Sequence, residues 1–200
     1  VERRGVPVHQ NLIMRDVADA KAIARGDLLL HVCEMCGFIF NSAFDPSLLQ
    51  YGRDYDNTQT HSPAFAEHAE AMAKRIARDG ATILDVGCGQ GDFLRRLVEL
   101  GKQCAGVGYD PSFTGATVDT LRNLRFERRF FDSSCEERAD LIVCRHVIEH
   151  VADPLALLRV ARQSLLSGGS VFFELRSAAW VLDHQATWDC YYEQCSYFTP

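Results

Sequence analysis

The stretch Asp85-Val-Gly87-Cys-Gly89-Gln-Gly91-Asp92 decides the fold that this chain of 200 residues is expected to adopt. It follows the apolar run Ala81 to Val86, which predicts a short buried strand, and it precedes a helix predicted from about Asp92 to Leu100. Glycines here let the backbone turn sharply and approach a ligand, while the first N–H groups of the helix lack partners. The stretch therefore predicts a ligand-binding loop, although tight packing of the strand on the helix would also need its glycines.

An acidic residue at the end of the next predicted strand supports the ligand-binding interpretation. Asp110 follows the strand Gln103 to Tyr109 and lies 19 residues after Gly91, close to the offset at which a carboxylate binds ribose hydroxyls. A dinucleotide-binding dehydrogenase shares this offset. Its loop, however, has the spacing G-x-G-x-x-G rather than G-x-G-x-G, and the carboxylate of Asp85 would repel a pyrophosphate. An NAD-linked oxidoreductase is therefore the disfavoured alternative.

Strands and helices alternate around this loop. A helix is predicted upstream, from Ser62 to Arg78, because Ser62-Pro63 supplies an N-cap and a first-turn proline. Downstream, the pattern predicts strands at Arg125 to Phe131, Asp140 to Cys144 and Ser170 to Leu175, with a helix at Pro154 to Leu166 and a turn at Ser167 to Gly169. Such alternation predicts an α/β fold with a mostly parallel sheet and helices on both faces, in which ligands bind at the carboxyl ends of the strands.

The residues up to about 60 form a separate predicted module. It contains a helical stretch from Val17 to Ala24, a strand-like run from Leu28 to Val32 and the sequence Cys33-Glu-Met-Cys36-Gly37. Two thiolates at this spacing make half of a zinc knuckle, but a structural zinc takes four ligands and the sequence has no second C-x-x-C. His9 and His31 are the candidate replacements. The pair is predicted to be part of a zinc site or a packed remnant of one.

A second metal pattern is set aside. The sequence His146-Val-Ile-Glu149-His150 matches the H-x-x-E-H pattern of inverted zinc peptidases, which carry it within a helix. Here it follows a predicted strand and runs into Asp153-Pro154, and a proline at that point predicts a loop and a new helix start. We therefore do not expect a peptidase zinc site.

Charge and hydropathy exclude several classes of partner. The chain has 21 Lys and Arg against 27 Asp and Glu, a formal net charge of −6, and it lacks a continuous basic stripe, which argues against nucleic acid. No segment approaches the ~20 apolar residues of a membrane span, and no signal peptide is evident. We expect a cytoplasmic protein with reduced cysteines, a small-molecule partner and a monomeric state.

The glycine loop, Asp110 and the Glu149-His150 pair before Asp153-Pro154 resemble the motifs of class I S-adenosylmethionine (SAM)-dependent methyltransferases over residues 80–176. The resemblance implies a Rossmann-like SAM-binding domain at residues 61–200, with its C-terminal strands missing, after an N-terminal module at residues 1–60. The cofactor-binding residues that it implies are Asp85 toward the amino-acid end of SAM, Gly87, Gly89 and Gly91 at the cofactor, Asp110 at the ribose, Pro111 beside the adenine, Asp132 near the adenine amino group and Arg145 by the methionine moiety.

The end of the chain carries a second resemblance. Trp188-Asp-Cys-Tyr-Tyr-Glu-Gln-Cys-Ser-Tyr-Phe198, with the Cys33 and Cys36 pair, is similar to the C-methyltransferases of deoxysugar biosynthesis that carry an N-terminal zinc-binding module. The family's active-site residues then fall on His150, Tyr191 and Glu193. A tyrosine of the family's N-terminal pocket falls on Tyr55, which is therefore predicted to be a cofactor-binding residue. Core packing of the terminal aromatic residues is the alternative.

One departure from this family concerns the chemistry. Gln194 stands where the family has the histidine that acts as general base, and a glutamine side chain takes up no proton at useful pH. His150 is therefore the predicted base, assisted by Tyr191 and Glu193. The predicted function is methyl transfer from SAM to a small molecule, as C-methylation of a sugar-like or natural-product intermediate. The alternatives are O- or N-methylation and a catalytically silent SAM-binding module.

Overall fold

The computed structural model describes residues 1–51, 55 and 61–199. The helices and strands are β1 (Glu2–Pro7), α1 (Val17–Ala22), β2 (Arg25–Val32), β3 (Ile39–Asn41), α2 (Pro63–Ile76), β4 (Thr82–Val86), α3 (Asp92–Leu100), β5 (Ala105–Tyr109), β6 (Val118–Asp119), β7 (Leu124–Glu127), β8 (Ala139–Arg145), α4 (Pro154–Ser164), β9 (Leu165–Glu174), α5 (Ala178–Asp183) and β10 (Ser196–Tyr197). Short 3₁₀ helices lie at Pro46–Leu48, Ile148–His150 and Thr187–Asp189.

The chain divides into two compact units that do not follow the predicted boundary at residue 60. The first unit comprises Val1–Asp56, His146–Pro154 and Leu175–Pro200, and the second comprises Asn57–Arg145 and Leu155–Glu174. Within the first unit, an antiparallel sheet has the order β1-β2-β3-β10. The last strand of the chain therefore pairs with a strand from its first fifth. The helices of the described residues are too short or too polar to cross a membrane.

The second unit contains a six-stranded sheet of order β6-β7-β5-β4-β8-β9. All neighbouring strands pair in parallel except β6 with β7. β4 lies in the middle, with β5 on one side and β8 on the other, so the order of the strands reverses next to β4. In parallel sheets a ligand binds at such a reversal, beyond the carboxyl ends of the strands. The predicted α/β fold with a mostly parallel sheet is confirmed.

The core of the second unit is built from the apolar faces of its central strands and of α3. Leu94 and Leu97 on α3 are fully buried, as is Ile83 on β4. The Phe126 ring from β7 stacks on Phe113 with 4.3 Å between the ring centroids. This packing holds β4, β5 and β7 in register and thereby fixes the loops that leave their carboxyl ends.

Most predicted element boundaries differ from the observed ones by a few residues, and two predictions were wrong in a way that changes the description of the sheet. The strand predicted from Arg125 to Phe131 ends at Glu127, and Ser167 to Gly169 form no separate turn, because β9 runs from Leu165 to Glu174. Ala139 on β8 pairs with Leu165 on β9, and Leu141 pairs with Ser170, so β8 advances by two residues where β9 advances by five. Gly168 has φ +79°, a conformation that glycine adopts without strain. Gly168 and Gly169 therefore lie at an irregular, bulged part of β9 and not in a turn before the strand.

Candidate functional site

The glycine loop after β4 adopts a conformation that requires glycine. Gly87, Gly89 and Gly91 have φ values of +68°, +56° and +83°, in the left-handed region that other residues rarely enter. Gly91 is also the N-cap of α3. A Cβ atom on Gly91 would lie 2.4 Å from Cε1 of Phe126, far inside van der Waals contact. The loop therefore brings its backbone to the carboxyl end of the sheet at a place where side chains do not fit.

Asp110, directly after β5, is bonded to this loop. Its Oδ2 accepts the Gly89 N–H at 2.8 Å, and its Oδ1 accepts the backbone N–H and the hydroxyl of Ser112 at 2.7 and 2.6 Å. The structure thus brings together the two features that the sequence singled out, the glycines and the acidic residue. Each carboxylate oxygen can accept more than one hydrogen bond, so a ligand hydroxyl can bind as well.

A residue that the sequence analysis missed joins the same two loops. Gln90 donates from Nε2 to the Ser112 carbonyl at 3.1 Å, and its Oε1 accepts the backbone N–H and hydroxyl of Thr114 at 3.1 and 2.9 Å. Gln90 occupies a variable position between two motif glycines, so no signal in a single sequence marks it. Its three hydrogen bonds tie the glycine loop to the loop that follows β5.

A buried acidic and a half-buried basic side chain lie beside the loop. Asp85 is 2% exposed, and burial raises its pKa to about 7; the charge of Asp110 adds to this rise and Arg145 opposes it. Arg145, the last residue of β8, donates from Nε to Glu174 Oε2 at 2.5 Å, and its guanidinium Cζ lies 3.9 Å from the centroid of the Phe93 ring.

One of the two terminal nitrogens of the Arg145 guanidinium, Nη2, is a candidate contact for a negatively charged ligand. Nη2 is buried and has no hydrogen-bond partner in the described part of the chain. Buried polar groups in native proteins are nearly always hydrogen-bonded, and an unpaired guanidinium N–H is a strong donor to an anion. The arrangement at the ends of β4 and β8 therefore suits a ligand with a negative group for Arg145 and a positive one for Asp85.

The raised pKa of Asp85 predicts how stability depends on pH. An unfolded aspartate ionises near pH 4, so between about pH 4 and pH 7 the folded state binds more protons than the unfolded state. The free energy of unfolding must then fall as pH rises through that window and level off above pH 7, by about 4 kcal/mol at most. Denaturant titrations at pH 5, 6, 7 and 8 should show this component in the wild type and not in Asp85→Asn. Equal pH profiles for the two proteins would rule it out.

Pro111 and Asp132, predicted near the adenine, differ in their surroundings. Pro111 is half-buried in the turn that follows Asp110. Asp132 is exposed, and its carboxylate accepts the backbone N–H and the hydroxyl of Ser134 at 2.9 and 2.6 Å. These two hydrogen bonds lower the pKa of Asp132. Asp132 thus closes a local turn, and its contact with adenine stays a prediction.

In the first unit, Glu193 lies in a network of buried hydrogen bonds. The residue is 1% exposed; its Oε1 lies 3.0 Å from His9 Nδ1, and its Oε2 accepts the Gln10 N–H at 2.8 Å. The Tyr55 ring centroid is 6.1 Å from that of His9, and burial followed by the charge of Glu193 raises the Tyr55 pKa. In the sequence, His9 is recognisable only as a possible metal ligand, and its pairing with Glu193 is not apparent.

His150 and Tyr191 lie beside Glu193. Nδ1 of His150 is 2.7 Å from the Glu193 carbonyl oxygen, and since a carbonyl only accepts, Nδ1 carries a proton. In the neutral tautomer that this contact selects, the lone pair is on Nε2. The ring centroids of His150 and Tyr191 are 6.3 Å apart. Burial raises the Tyr191 pKa to about 12 although Arg176 opposes it, so Tyr191 keeps its proton at neutral pH. One side chain can therefore accept a proton and its neighbour can donate a hydrogen bond.

Two buried polar side chains of this unit have oxygens that make no hydrogen bond within the described part of the chain. Glu149 and Gln194 are each 1% exposed, and both carboxylate oxygens of Glu149 and Oε1 of Gln194 make no hydrogen bond to any described residue. Glu149 Oε1 lies 3.6 Å from His146 Nδ1, which is an ion-pair distance if the imidazole is protonated. The backbone carbonyl of Glu149 accepts the Cys195 N–H at 2.9 Å. Unpaired buried acceptors favour a ligand that donates hydrogen bonds.

The cysteine pair forms a tight turn between β2 and β3. Gly37 has φ +74° and donates its N–H to the Cys33 carbonyl at 2.8 Å, and hydrogen bonds from Met35 and Cys36 lower the Cys33 pKa. Among residues 1–51, 55 and 61–199, no group of three or more His, Cys, Asp or Glu is placed to hold a metal ion. The pair supplies two thiolates where structural zinc needs four ligands, so the described residues do not complete a zinc site.

Comparison with known proteins agrees with the geometry of the second unit. The family profile described as "Methyltransferase domain" matches residues 57–200. The ubiquinone biosynthesis O-methyltransferase of Xanthomonas campestris is 29% identical over 108 residues, which cover 50% of this chain and 45% of that protein. The enzyme of the same name from Cereibacter sphaeroides is 32% identical over 114 residues, 52% of this chain and 44% of that protein. The chain thus spans about half the length of these curated relatives.

A solved structure has the same fold. It is a chain of the complex between the Haloferax volcanii Trm112 methyltransferase activator and a methyltransferase, with a TM-score of 0.53 and 24% sequence identity, and the match covers 67% of this chain and 61% of that chain. At this identity the match concerns the fold alone. The strand order around β4, the glycine loop bonded to Asp110 and the family profile agree, and the chain belongs to the class I SAM-dependent methyltransferase domain family.

Proposed function

We propose that this chain binds SAM through its second unit and transfers the SAM methyl group to a small molecule. The observation that carries the proposal is the glycine loop hydrogen-bonded to Asp110, with Asp85 and the unpaired Nη2 of Arg145 beside it. SAM has a ribose diol for Asp110, a carboxylate for Arg145 and a cationic amino-acid end for Asp85. Gly87, Gly89 and Gly91 bring the backbone to the cofactor, and Pro111 and Asp132 flank the adenine.

SAM supplies an already activated methyl group, so the protein contributes mainly by positioning. The acceptor nucleophile forms a bond to the methyl carbon while the bond from that carbon to sulfur breaks, and the electron pair of the broken bond stays on sulfur. The products are the methylated acceptor and S-adenosylhomocysteine. The step removes the positive charge from sulfur and needs no metal ion for its balance.

The proposed acceptor is a small, hydroxyl-bearing ketone of the sugar or natural-product type, which is methylated on carbon. His150 Nε2 removes the proton beside the ketone, and the Tyr191 hydroxyl donates a hydrogen bond to the enolate oxygen that forms. Glu193 holds His150 in place. The unpaired oxygens of Glu149 and Gln194 support an acceptor that carries several hydrogen-bond donors.

O-methylation is the second candidate. It is favoured by the curated relatives, which are named as ubiquinone biosynthesis O-methyltransferases, and by Gln194 at the position of the resembling family's basic histidine. An acidic phenolic hydroxyl loses its proton easily, so such a reaction would need little help from His150. A silent SAM-binding module would instead bind SAM and release no S-adenosylhomocysteine.

An isotope experiment separates these functions. The purified chain is incubated in D₂O with methyl-labelled SAM and either a nucleotide-linked ketosugar or a catechol. C-methylation predicts S-adenosylhomocysteine with the ketosugar, label on carbon, and exchange of the proton beside the ketone for deuterium. Turnover with the catechol alone would replace C-methylation by O-methylation. SAM binding without turnover by either acceptor would contradict the enzymatic proposal.

A zinc ion at Cys33 and Cys36 is proposed only together with two further ligands from outside the described residues. Its stoichiometry can be measured by elemental analysis of the purified chain and of Cys33→Ser.

A further inference from the structure

We propose that His9 is a positioning residue, which locks Glu193 so that the Glu193 carbonyl holds His150 in its Nδ1–H tautomer. The inference rests on the proposed function in one respect, the use of His150 Nε2 as the base. His9 lies 184 positions from Glu193 along the chain, and neither the methyltransferase motifs nor the resembling family's active-site residues include it.

The hydrogen bonds of His9 determine its tautomer. Its Nε2 lies 2.8 Å from the backbone N of Gln50, which can only donate, so Nε2 must be the unprotonated nitrogen. The proton is therefore on Nδ1 and points to Glu193 Oε1 at 3.0 Å. Protonating Nε2 would set two N–H donors against each other in a side chain that is 3% exposed. The Gln50 N–H thus holds His9 neutral and makes it a fixed donor.

The carboxylate of Glu193 is held from two sides by consecutive residues. His9 donates to one oxygen, and the Gln10 N–H donates to the other at 2.8 Å. Removing either N–H donor from a buried carboxylate is strongly destabilising, because water cannot reach the group to solvate it instead. Glu193 therefore has one side-chain orientation. We infer that Glu193 acts through its position and is not itself the proton acceptor.

The same residue controls His150 through its main chain. The Glu193 carbonyl accepts the Nδ1–H of His150 at 2.7 Å, and the neighbouring Cys195 N–H is bonded to the Glu149 carbonyl at 2.9 Å. A free imidazole exchanges between tautomers, but this carbonyl selects the form with its lone pair on Nε2. His9 is thus held by Gln50, Glu193 by His9, and His150 by Glu193.

The test is ¹⁵N NMR of the histidine rings in the wild type, His9→Asn and His9→Phe. In the wild type, both His9 and His150 should be neutral with the proton on Nδ1. His9→Asn places an amide N–H near the position of Nδ1 and should preserve the His150 tautomer, whereas His9→Phe removes the donor and should give a mixture of His150 tautomers. The matched control is His184→Asn, an exposed histidine of the same unit, which should leave His150 unchanged.

Several results would overturn the inference: a wild-type His150 protonated on Nε2, an unchanged His150 spectrum in folded His9→Phe, or loss of the Nδ1–H form in His9→Asn. If His9→Phe does not fold, the wild type and His9→Asn still decide. The NMR readout needs no methyl acceptor. Absence of methyl transfer would therefore refute the proposed function and leave the tautomer result standing, and the two failures can be told apart.

Discussion

Replacing Gly91 by Ala should weaken SAM binding at least tenfold and lower the free energy of unfolding by about 2–4 kcal/mol. Two effects add. The residue has φ +83°, which costs a residue with a Cβ about 1–2 kcal/mol, and the new Cβ would lie 2.4 Å from Phe126 Cε1. Phe126 is 2% exposed and stacked on Phe113, so it can move only by disturbing the core. The loop must shift instead, and it carries the Gly89 N–H that is bonded to Asp110.

Gly80→Ala is the matched control for this prediction. Gly80 belongs to the same unit and has φ +68°, but a Cβ there would meet no atom within 4 Å. It should therefore lose about 1–2 kcal/mol from backbone strain alone and bind SAM like the wild type. Denaturant unfolding and calorimetric titration measure both quantities. Equal losses of stability and of SAM affinity in the two variants would show that the close approach to Phe126 has no role.

Replacing His150 by Asn should lower the rate of C-methylation by 10²- to 10⁴-fold, the usual contribution of a general base. The Asn amide N–H lies close to the position of Nδ1 and can still donate to the Glu193 carbonyl, so the local structure should persist. What the variant loses is the lone pair at Nε2. Rates of S-adenosylhomocysteine release are the measurement, with His184→Asn as the control for removal of a histidine from the first unit.

The affinity of His150→Asn for SAM gives the second half of this test. The proposed contacts with SAM from the glycine loop, Asp110 and Arg145 lie in the second unit, so the dissociation constant for SAM should stay within about twofold of the wild-type value. A wild-type turnover rate in His150→Asn would remove His150 from the mechanism. A rate that falls only severalfold, with a phenolic acceptor, would favour O-methylation, for which little base strength is needed.

Local patterns predicted the second unit well. The bounds of α3, Asp92–Leu100, match the prediction, and the Ser62 hydroxyl caps α2 by accepting the Phe65 N–H. These features depend on residues close together in sequence. The contact between Asp110 and Gly89 could also be anticipated, because the carboxyl ends of adjacent parallel strands lie side by side.

The errors and omissions have a different origin. The bulge in β9 follows from its register against β8, which cannot be seen in the Ser167 to Gly169 stretch itself. The partner of His9, Glu193, lies 184 positions away along the chain, near the strand β10 that pairs with β3. Gln90 is a polar residue at a variable motif position, and only the three-dimensional path of the loops gives it partners. Long-range pairing, rather than local propensity, decided each of these cases.

The most direct test of the central claim is calorimetric titration of the purified chain with SAM, S-adenosylhomocysteine and NADH in parallel. We expect micromolar Kd values for SAM and S-adenosylhomocysteine, about −8 kcal/mol each, and no binding of NADH. Binding of NADH instead, or of none of the three, would contradict the assignment of the Gly87 to Gly91 loop and Asp110 as a SAM site.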